Sequence, residues 1–138
     1  MWRVLFFFTE GLITLIQDQG ILLNISSKMG SIAVCELTDA VAYMMSKSAL
    51  NMYTKILSNR LNGKLRVVAI HPGWVKTTLA ESNMTNGRLI PNSSAENIYR
   101  FINSDLKMEL FGMQKMNRTW LGENKTYLCA KRHENPAA

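Results

Sequence analysis

Tyr43 and Lys47 are the two residues of this chain whose types and spacing most directly suggest chemistry. In a helix, residues four positions apart lie on the same face, with their Cβ atoms about 5–6 Å apart. A cation at that distance stabilises a phenolate and lowers the pKa of a tyrosine from its usual value of about 10. The pair could therefore supply a general acid or base that works near neutral pH.

Two apolar segments flank the helix that would carry this pair. Residues 20–27 form a short apolar run that is opened by a glycine and closed by Ser26 and Ser27, which predicts a buried parallel strand at 21–26. A second apolar run predicts a strand at 65–71, before the Pro72-Gly73 break. We expect these strands to be parallel and joined through a helix at 43–61 by a right-handed connection.

Three motifs in this order resemble the catalytic half of the short-chain dehydrogenase/reductase family. They are Asn24-Ile25-Ser26-Ser27, then Tyr43-x-x-x-Lys47 followed by Ser48-Ala49-Leu50-Asn51, and finally Pro72-Gly73-Trp74-Val75-Lys76-Thr77. The resemblance extends over residues 20–104. It implies an α/β fold with a partial Rossmann-like, doubly wound parallel sheet, closest in its Gly30-Ser31-Ile32 segment to the carbonyl-reductase branch.

The glycine-rich turn that binds the cofactor pyrophosphate in this family has no counterpart here. The eight glycines are well separated, and neither G-x-x-x-G-x-G nor G-x-G-x-x-G occurs. No asparagine precedes Asn24, where the family's fourth catalytic residue would fall. The match therefore implies that the chain begins inside the helix before the Ser27 strand and lacks the N-terminal dinucleotide-binding βα units.

The resemblance assigns catalytic roles to three residues. Tyr43 would give a proton to a substrate carbonyl oxygen, or remove one from an alcohol. Lys47 would stabilise the Tyr43 phenolate by its charge and bind the ribose hydroxyls of the cofactor. Ser27 would hydrogen-bond the substrate oxygen, with Ser26 as the competing candidate. Asn51, like Asn24, is expected to tie strand and helix together, and no metal site is predicted.

The cofactor implied is NADP or NAD, held by Tyr43 and Lys47 and by the motif after the second strand. In that motif the family pattern points to Pro72, Gly73, Val75 and Thr77, and Thr78 could replace Thr77. His71 is expected to be structural, and Trp74 to form a wall or lid.

Three functions are compatible with these residues. The first is an NAD(P)-dependent oxidoreductase of small carbonyl or alcohol substrates, inactive as the isolated, truncated chain. Because the strands that would flank 21–26 are missing, the chain alone should also fold marginally and aggregate. The second is a non-catalytic protein that forms homo-oligomers through helices 2–18 and 43–61. The third is a membrane-surface protein tethered by its apolar N-terminus.

Composition argues against other classes. The net charge of +6 comes from scattered lysines and arginines without a nucleic-acid-binding motif, so no nucleic-acid partner is predicted. Cys35 and Cys129 are far apart in the sequence, which favours reduced thiols in a cytoplasmic protein. The apolar residues at 1–8 are followed by Glu10 and have helical spacing, so they favour a helix over a targeting or membrane segment.

The remaining elements are predicted from the spacing of apolar residues and from capping and turn residues. Loops are expected at 27–42 and 72–93, and a helix at 94–105 capped by Ser93 or Ser94. The residues expected to form the buried stripe of helix 43–61 are Met45, Ala49, Met52, Tyr53, Ile56, Leu57 and Leu61. A short hairpin could pair 118–122 with 126–129. We predict a single partial Rossmann-like domain over 1–138, with a poorly defined tail at 106–138.

Overall fold

The computed structural model describes residues 2–32, 35–61 and 64–103, together with strands at 109–115 and 127–130. It divides into two compact units, residues 1–70 and 71–138. Whether the chain is a single domain stays a prediction. Within the described residues, no helix is long and apolar enough to cross a bilayer.

The described residues of the first unit form two α-helices and two strands, with the second helix between the strands in a βαβ arrangement. Helix α1 spans Trp2–Leu12, strand β1 spans Ile21–Ile25, helix α2 spans Val41–Arg60 and strand β2 begins at Arg66. Strand β2 runs as Arg66–His71, so its last residue belongs to the second unit. The prediction of two strands joined through a long helix is confirmed.

Strands β1 and β2 are parallel, as their apolar character predicts, with Ile21 opposite Arg66 and Ile25 opposite Ile70. Their burial differs: Val67, Val68, Ala69 and Ile70 of β2 are all buried. In β1 only Asn24 is buried, and Ile25 is 46% exposed. The expectation of a fully buried strand at 21–26 is therefore wrong, because β1 lies at the edge of the described sheet, with β2 as its only strand neighbour there.

The N-terminal helix is shorter than the predicted 2–18. It ends at Leu12 and is followed by a 3₁₀ turn at Ile13–Leu15. Gly11 and the β-branched residues that follow it, Ile13, Thr14 and Ile16, have low helix propensity, which accounts for the early end.

The buried face of α2 is not the one predicted. Lys47, Leu50, Thr54 and Leu57 are buried, and Thr54 and Leu57 are fully so. Leu57 is thus the one member of the expected stripe that is buried. The stripe was misplaced because the sequence places polar Lys47 and Thr54 on the packed face, where each has a hydrogen-bond partner that hydropathy cannot reveal.

A buried polar contact joins β1 to α2. The Asn24 side-chain amide donates to Thr54 Oγ1 at 2.9 Å, and that hydroxyl donates to the Leu50 carbonyl at 2.7 Å. Each buried group therefore has a partner, which removes the cost of burying it. This is the strand-to-helix tie that the sequence predicted for Asn24.

Helix α1 packs against α2 through a charged cluster and a ring contact. The Tyr53 hydroxyl donates to Glu10 Oε1 at 2.7 Å, and Arg60 Nη2 lies 2.8 and 2.9 Å from the two Glu10 carboxylate oxygens. Phe6 meets the Tyr53 ring edge-on at a centroid distance of 5.1 Å. Arg60 and Tyr53, in that order, lower the pKa of Glu10, while burial and then Glu10 itself raise the pKa of Tyr53.

This cluster predicts an acid-sensitive contact between α1 and α2. Because the pKa of Glu10 is lowered in the folded state, the contact stabilises the fold above the ordinary glutamate pKa and is lost as the pH falls through the lowered value. We expect Glu10→Gln to reduce the free energy of unfolding by about 0.5–1 kcal/mol at pH 7 and by less at pH 3. Urea unfolding at both pH values would measure this.

Glu96→Gln is the matched control for that experiment. Glu96 pairs with Arg100 one turn away on a solvent-exposed helix surface, at 2.5 Å. Such exposed pairs contribute little to stability, so the control should change the unfolding midpoint only slightly. Equal losses for both variants at pH 7 would show that the Glu10 cluster has no special role.

The second unit begins at the end of β2, and its described residues form two helices and two strands. Helix α3 spans Glu81–Asn86 inside the predicted loop 72–93, and helix α4 spans Pro91–Ile102. Strands β3, Glu109–Lys115, and β4, Tyr127–Ala130, are antiparallel. The predicted hairpin strand 118–122 lies outside the described residues, whereas β4 nearly coincides with the predicted 126–129.

Helix α4 begins three residues earlier than expected, and no serine caps it. Its N-cap is Ile90 and Pro91 occupies the first turn, where the fixed φ of proline and its missing N–H are tolerated. Ser94 is buried inside the helix, and its hydroxyl donates to the Pro72 carbonyl at 2.7 Å. Ser94 therefore does not cap the helix as predicted, but links it to the Pro72–Thr77 motif.

Candidate active site

The first unit brings the Ser27 segment against the helix that carries Tyr43 and Lys47. Tyr43 and Lys47 lie in the first two turns of α2, one turn apart, as predicted. Ser27 follows β1 and is the N-cap of a 3₁₀ turn at Lys28–Gly30, inside the predicted loop 27–42. Gly30 of that turn lies directly against α2, where an added Cβ would come within 2.7 Å of the Lys47 Cβ and backbone carbon.

The start of α2 is conformationally unusual. Its N-cap, Ala40, has φ 53° and ψ 32°, in the left-handed region that disfavours residues with a Cβ. The Met44 amide donates to the Ala40 carbonyl at 3.0 Å, so this residue already takes part in the helix. The left-handed residue therefore fixes where the helix begins, three positions before Tyr43.

Lys47 is the buried charge of this site. Only 9% of the residue is exposed to solvent. Its Nζ donates a hydrogen bond of 2.9 Å to the carbonyl of Ile25, the last residue of β1. Nζ also lies 5.6 Å from the centroid of the Tyr43 ring. Burial lowers the pKa of Lys47, because a desolvated ammonium is disfavoured. One of its three N–H donors is used by Ile25, which leaves two for other acceptors.

The two adjacent serines have different hydrogen bonds. Both are buried, at 5% and 6% exposure. The Ser26 hydroxyl donates to Asn51 Oδ1 at 2.5 Å, so its proton is committed to the helix. The Ser27 hydroxyl instead accepts from the Met29 amide at 3.1 Å, which leaves its own proton for another acceptor.

The Pro72–Thr77 motif belongs to the second unit and forms an ordered loop there. The Lys76 amide donates to the Leu89 carbonyl at 2.8 Å, and the Leu89 amide donates to the Trp74 carbonyl at 3.0 Å. Val75 and Leu89 form an isolated parallel bridge. Gly73 has φ 89°, a conformation that strains any residue with a Cβ, so glycine is favoured at this turn.

Asn83, on helix α3, is a residue that contacts this loop and that sequence reasoning missed. Its Oδ1 accepts from Trp74 Nε1 at 2.9 Å, and its Nδ2 donates to Thr77 Oγ1 at 3.4 Å. Trp74 is nevertheless 45% exposed, and His71 is half-buried at the end of β2. No sequence pattern marks Asn83, because its partners lie in an irregular loop rather than at helical or strand spacing.

Lys47 and Tyr43 are the residues of the first unit that could hold the ribose of a nicotinamide cofactor. Lys47 retains N–H donors for ribose hydroxyls, and Tyr43 lies beside its ammonium. A pyrophosphate cradle would require a glycine-rich turn, which the sequence lacks. Among the described residues, no group of three metal-ligating side chains occurs.

A family model described as "Enoyl-(Acyl carrier protein) reductase", which represents short-chain dehydrogenases/reductases, matches residues 3–101. The C-signal protein of Myxococcus xanthus is 41% identical over 63 residues, which are 45% of this chain and 38% of that protein.

Two solved structures are similar to this chain. Carbonyl reductase Sniffer of D. melanogaster is 38% identical, with a TM-score of 0.54, over 65% of this chain and 37% of that one. The NADPH-bound carbonyl reductase from chicken fatty liver is 34% identical, with a TM-score of 0.50, over 62% and 35%. The chain thus spans less than two fifths of the length of each of these relatives.

Proposed function

Because the chain belongs to the short-chain dehydrogenase/reductase family, we propose that it forms the catalytic half of an NAD(P)-dependent oxidoreductase that reduces carbonyl compounds or oxidises alcohols. The observation that carries this proposal is the placement of the buried Lys47 ammonium, 5.6 Å from the Tyr43 ring centroid and fixed by the Ile25 carbonyl. In this proposal Tyr43, with the Lys47 cation beside its ring, gives a proton to a substrate oxygen and takes it back.

Ser27 is the second donor to the substrate oxygen in this proposal. Its hydroxyl oxygen accepts from the Met29 amide, so its proton is directed elsewhere. A donor that is already oriented stabilises developing charge without having to reorganise. Ser26 is the weaker candidate, because its proton is given to Asn51.

NADP or NAD would supply the hydride when bound. The residues that the family pattern assigns to its binding are Tyr43 and Lys47, together with Pro72, Gly73, Val75 and Thr77. The NADPH bound to the chicken liver carbonyl reductase, a relative at 34% identity, supports NADP. Because this sequence has no pyrophosphate cradle, we propose that the 138-residue chain alone is inactive.

The proposal can be tested in a fusion protein that places the nucleotide-binding βα units of carbonyl reductase Sniffer before this chain. The fusion protein should consume NADPH with a panel of aldehydes and ketones. Ser27→Ala should lower kcat by about 10²–10³-fold, as for one lost oxyanion donor, and Ser26→Ala should cost less. The decrease in absorbance of the reduced nicotinamide measures the turnover of the fusion protein and of its two serine variants. A folded fusion protein that binds NADPH but reduces none of the substrates would refute the proposal.

A second candidate function, self-association, is favoured by apolar side chains on the outer faces of α1 and α2. Each of the following is more than half exposed: Val4, Phe7 and Phe8 on α1, and Val41, Met45, Met52 and Ile56 on α2. An exposed patch of this kind is typical of an interaction surface. We propose that this patch pairs with the same surface of a second copy, through α1 and α2, which are the helices predicted at 2–18 and 43–61.

Sedimentation equilibrium would test this association. The chain should form dimers at micromolar concentration, and the double substitution Met52→Lys with Ile56→Lys should shift it to monomer by placing charges on the interface. Leu79→Lys is the matched control, since Leu79 is 79% exposed in the second unit and should not change the mass. A monomeric chain at tens of micromolar would rule out this candidate.

We also propose a cytoplasmic location. Cys35 is an exposed free thiol, a state that is favoured in a reducing compartment.

A further inference from the structure

Asn51 has a side-chain environment that the proposed chemistry does not explain. It lies on α2, one helical turn beyond Lys47 and two turns beyond Tyr43, and it is half-buried. Its side chain faces the segment that carries Ser27 and makes two hydrogen bonds there. A half-buried asparagine within a helix is otherwise a poor choice, because its helix propensity is low.

The two hydrogen bonds of Asn51 reach both sides of Ser27. Its Oδ1 accepts from the Ser26 hydroxyl at 2.5 Å, one residue before Ser27. Its Nδ2 donates to the Gly30 carbonyl at 3.1 Å, three residues after Ser27. The Ser48 hydroxyl donates to the same Gly30 carbonyl at 3.0 Å. The helix therefore holds both ends of the short segment that contains the serine.

The segment between these two points is itself closed by internal hydrogen bonds. The Gly30 amide donates to the Ser27 carbonyl at 3.0 Å, and the Met29 amide donates to the Ser27 hydroxyl at 3.1 Å. Gly30 also packs so closely on the Lys47 backbone that a side chain would clash. A displacement of either end would therefore change the direction of the Ser27 hydroxyl.

We propose that Asn51 is a positioning residue that fixes the Ser27 hydroxyl relative to Tyr43 and Lys47. Its amide supplies an acceptor for Ser26 and a donor for Gly30 at the same time, which neither aspartate at neutral pH nor alanine can do. The role of Ser27 as a substrate donor rests on the proposed function. The positioning itself does not require turnover and can be measured on the 138-residue chain.

Amide hydrogen exchange, followed by NMR, tests the proposal at the Met29 amide, which is bonded to the Ser27 hydroxyl. Asn51→Ala should lower the protection factor of Met29 and of Gly30 by about tenfold or more, as expected for the loss of two hydrogen bonds. The amides of Val68 and Ala69 in β2 should keep their protection. The matched control is Asn59→Ala, an exposed asparagine on the same helix, which should change neither set.

Two further variants separate positioning from general destabilisation. Ser26→Ala removes only one of the two bonds and should lower Met29 protection less than Asn51→Ala does. Asn51→Asp should lose protection at neutral pH but recover part of it below about pH 4, where the protonated carboxyl again has a donor for Gly30. A merely structural loss would not be restored by acid.

The outcomes decide between positioning and its alternatives. Unchanged Met29 protection in Asn51→Ala, or a loss of equal size at Val68 and Ala69, would overturn the proposal. So would an unprotected Met29 amide in the unmodified chain. If Asn51→Ala fails to fold, the same comparison is made with Ser26→Ala. Should Met29 respond as expected while the fusion protein binds NADPH but reduces no substrate, the proposed function fails and the positioning stands. If Ser27→Ala leaves turnover intact, only the role of Ser27 as substrate donor fails.

Discussion

Tyr43→Phe in the fusion protein should lower kcat by about 10²–10⁴-fold and change the Kd for NADPH far less. The substitution removes only the phenolic hydroxyl, so the proton donor is lost and the ring beside the Lys47 ammonium remains. General acid–base catalysis by a positioned side chain contributes a factor of this size. Steady-state kinetics and fluorescence titration with NADPH measure the two quantities separately.

Tyr99→Phe serves as the control for this experiment. Tyr99 lies on α4 and is 68% exposed, so the loss of its hydroxyl should affect neither quantity. If Tyr43→Phe lowered NADPH affinity and kcat by equal factors, the hydroxyl would bind cofactor rather than transfer the proton. Full activity of Tyr43→Phe would remove Tyr43 from the chemistry.

Lys47→Met should impair both cofactor binding and turnover. The side chain combines a buried ammonium beside Tyr43 with N–H donors that are available to ribose hydroxyls, and methionine keeps only the apolar stem. We expect a weaker Kd for NADPH together with a kcat loss of about 10²-fold or more. Lys64→Met, at an exposed lysine outside α2, is the control that should have neither effect.

The lowered pKa of Lys47 gives this prediction a pH dependence. Because burial disfavours the ammonium, Lys47 loses its proton at a lower pH than an ordinary lysine, whose pKa is about 10.4. NADPH affinity should therefore fall as the pH rises through that lowered pKa, and Lys47→Met should abolish this step. Deprotonation also removes the cost of burying the charge. The free energy of unfolding should therefore increase as the pH rises from the lowered pKa of Lys47 to the ordinary lysine pKa.

Titration calorimetry with the 138-residue chain alone supplies the contrasting result. We expect no measurable binding of NADPH or NADH, because the sequence has no glycine-rich turn for the pyrophosphate. Micromolar binding by this chain would show that the nucleotide is held by other residues. Kd values for the fusion protein under the same conditions provide the comparison.

The parts of the fold that sequence reasoning predicted well are those set by local patterns. Continuous apolar runs predicted β1 and β2 and their parallel pairing. The predicted helix 43–61 differs from Val41–Arg60 by two residues at its start and one at its end. In each case the signal lies within the element itself, so it needs no knowledge of what the element packs against.

Sequence reasoning failed where neighbours decide the outcome. Ile25 was expected to be buried and is 46% exposed, because burial of a strand depends on the strands beside it. The apolar stripe of α2 was placed on the wrong face, since Lys47 and Thr54 are buried by virtue of distant partners. The early start of α4 at Pro91 follows from a local rule that favours proline in the first turn, which the serine-cap signal overshadowed.

The sequence by itself determined which chemistry is available. A tyrosine and a lysine one helical turn apart, a serine pair at a strand end and a Pro-Gly motif after the next strand are all matters of residue type and spacing. Only the tertiary structure decided how these groups are used. Ser26 gives its proton to Asn51 and Ser27 keeps its own, and Lys47 is buried at the end of β1. The Ser26–Asn51 and Lys47–Ile25 hydrogen bonds join residues more than twenty positions apart, and no local pattern encodes the direction of a hydroxyl.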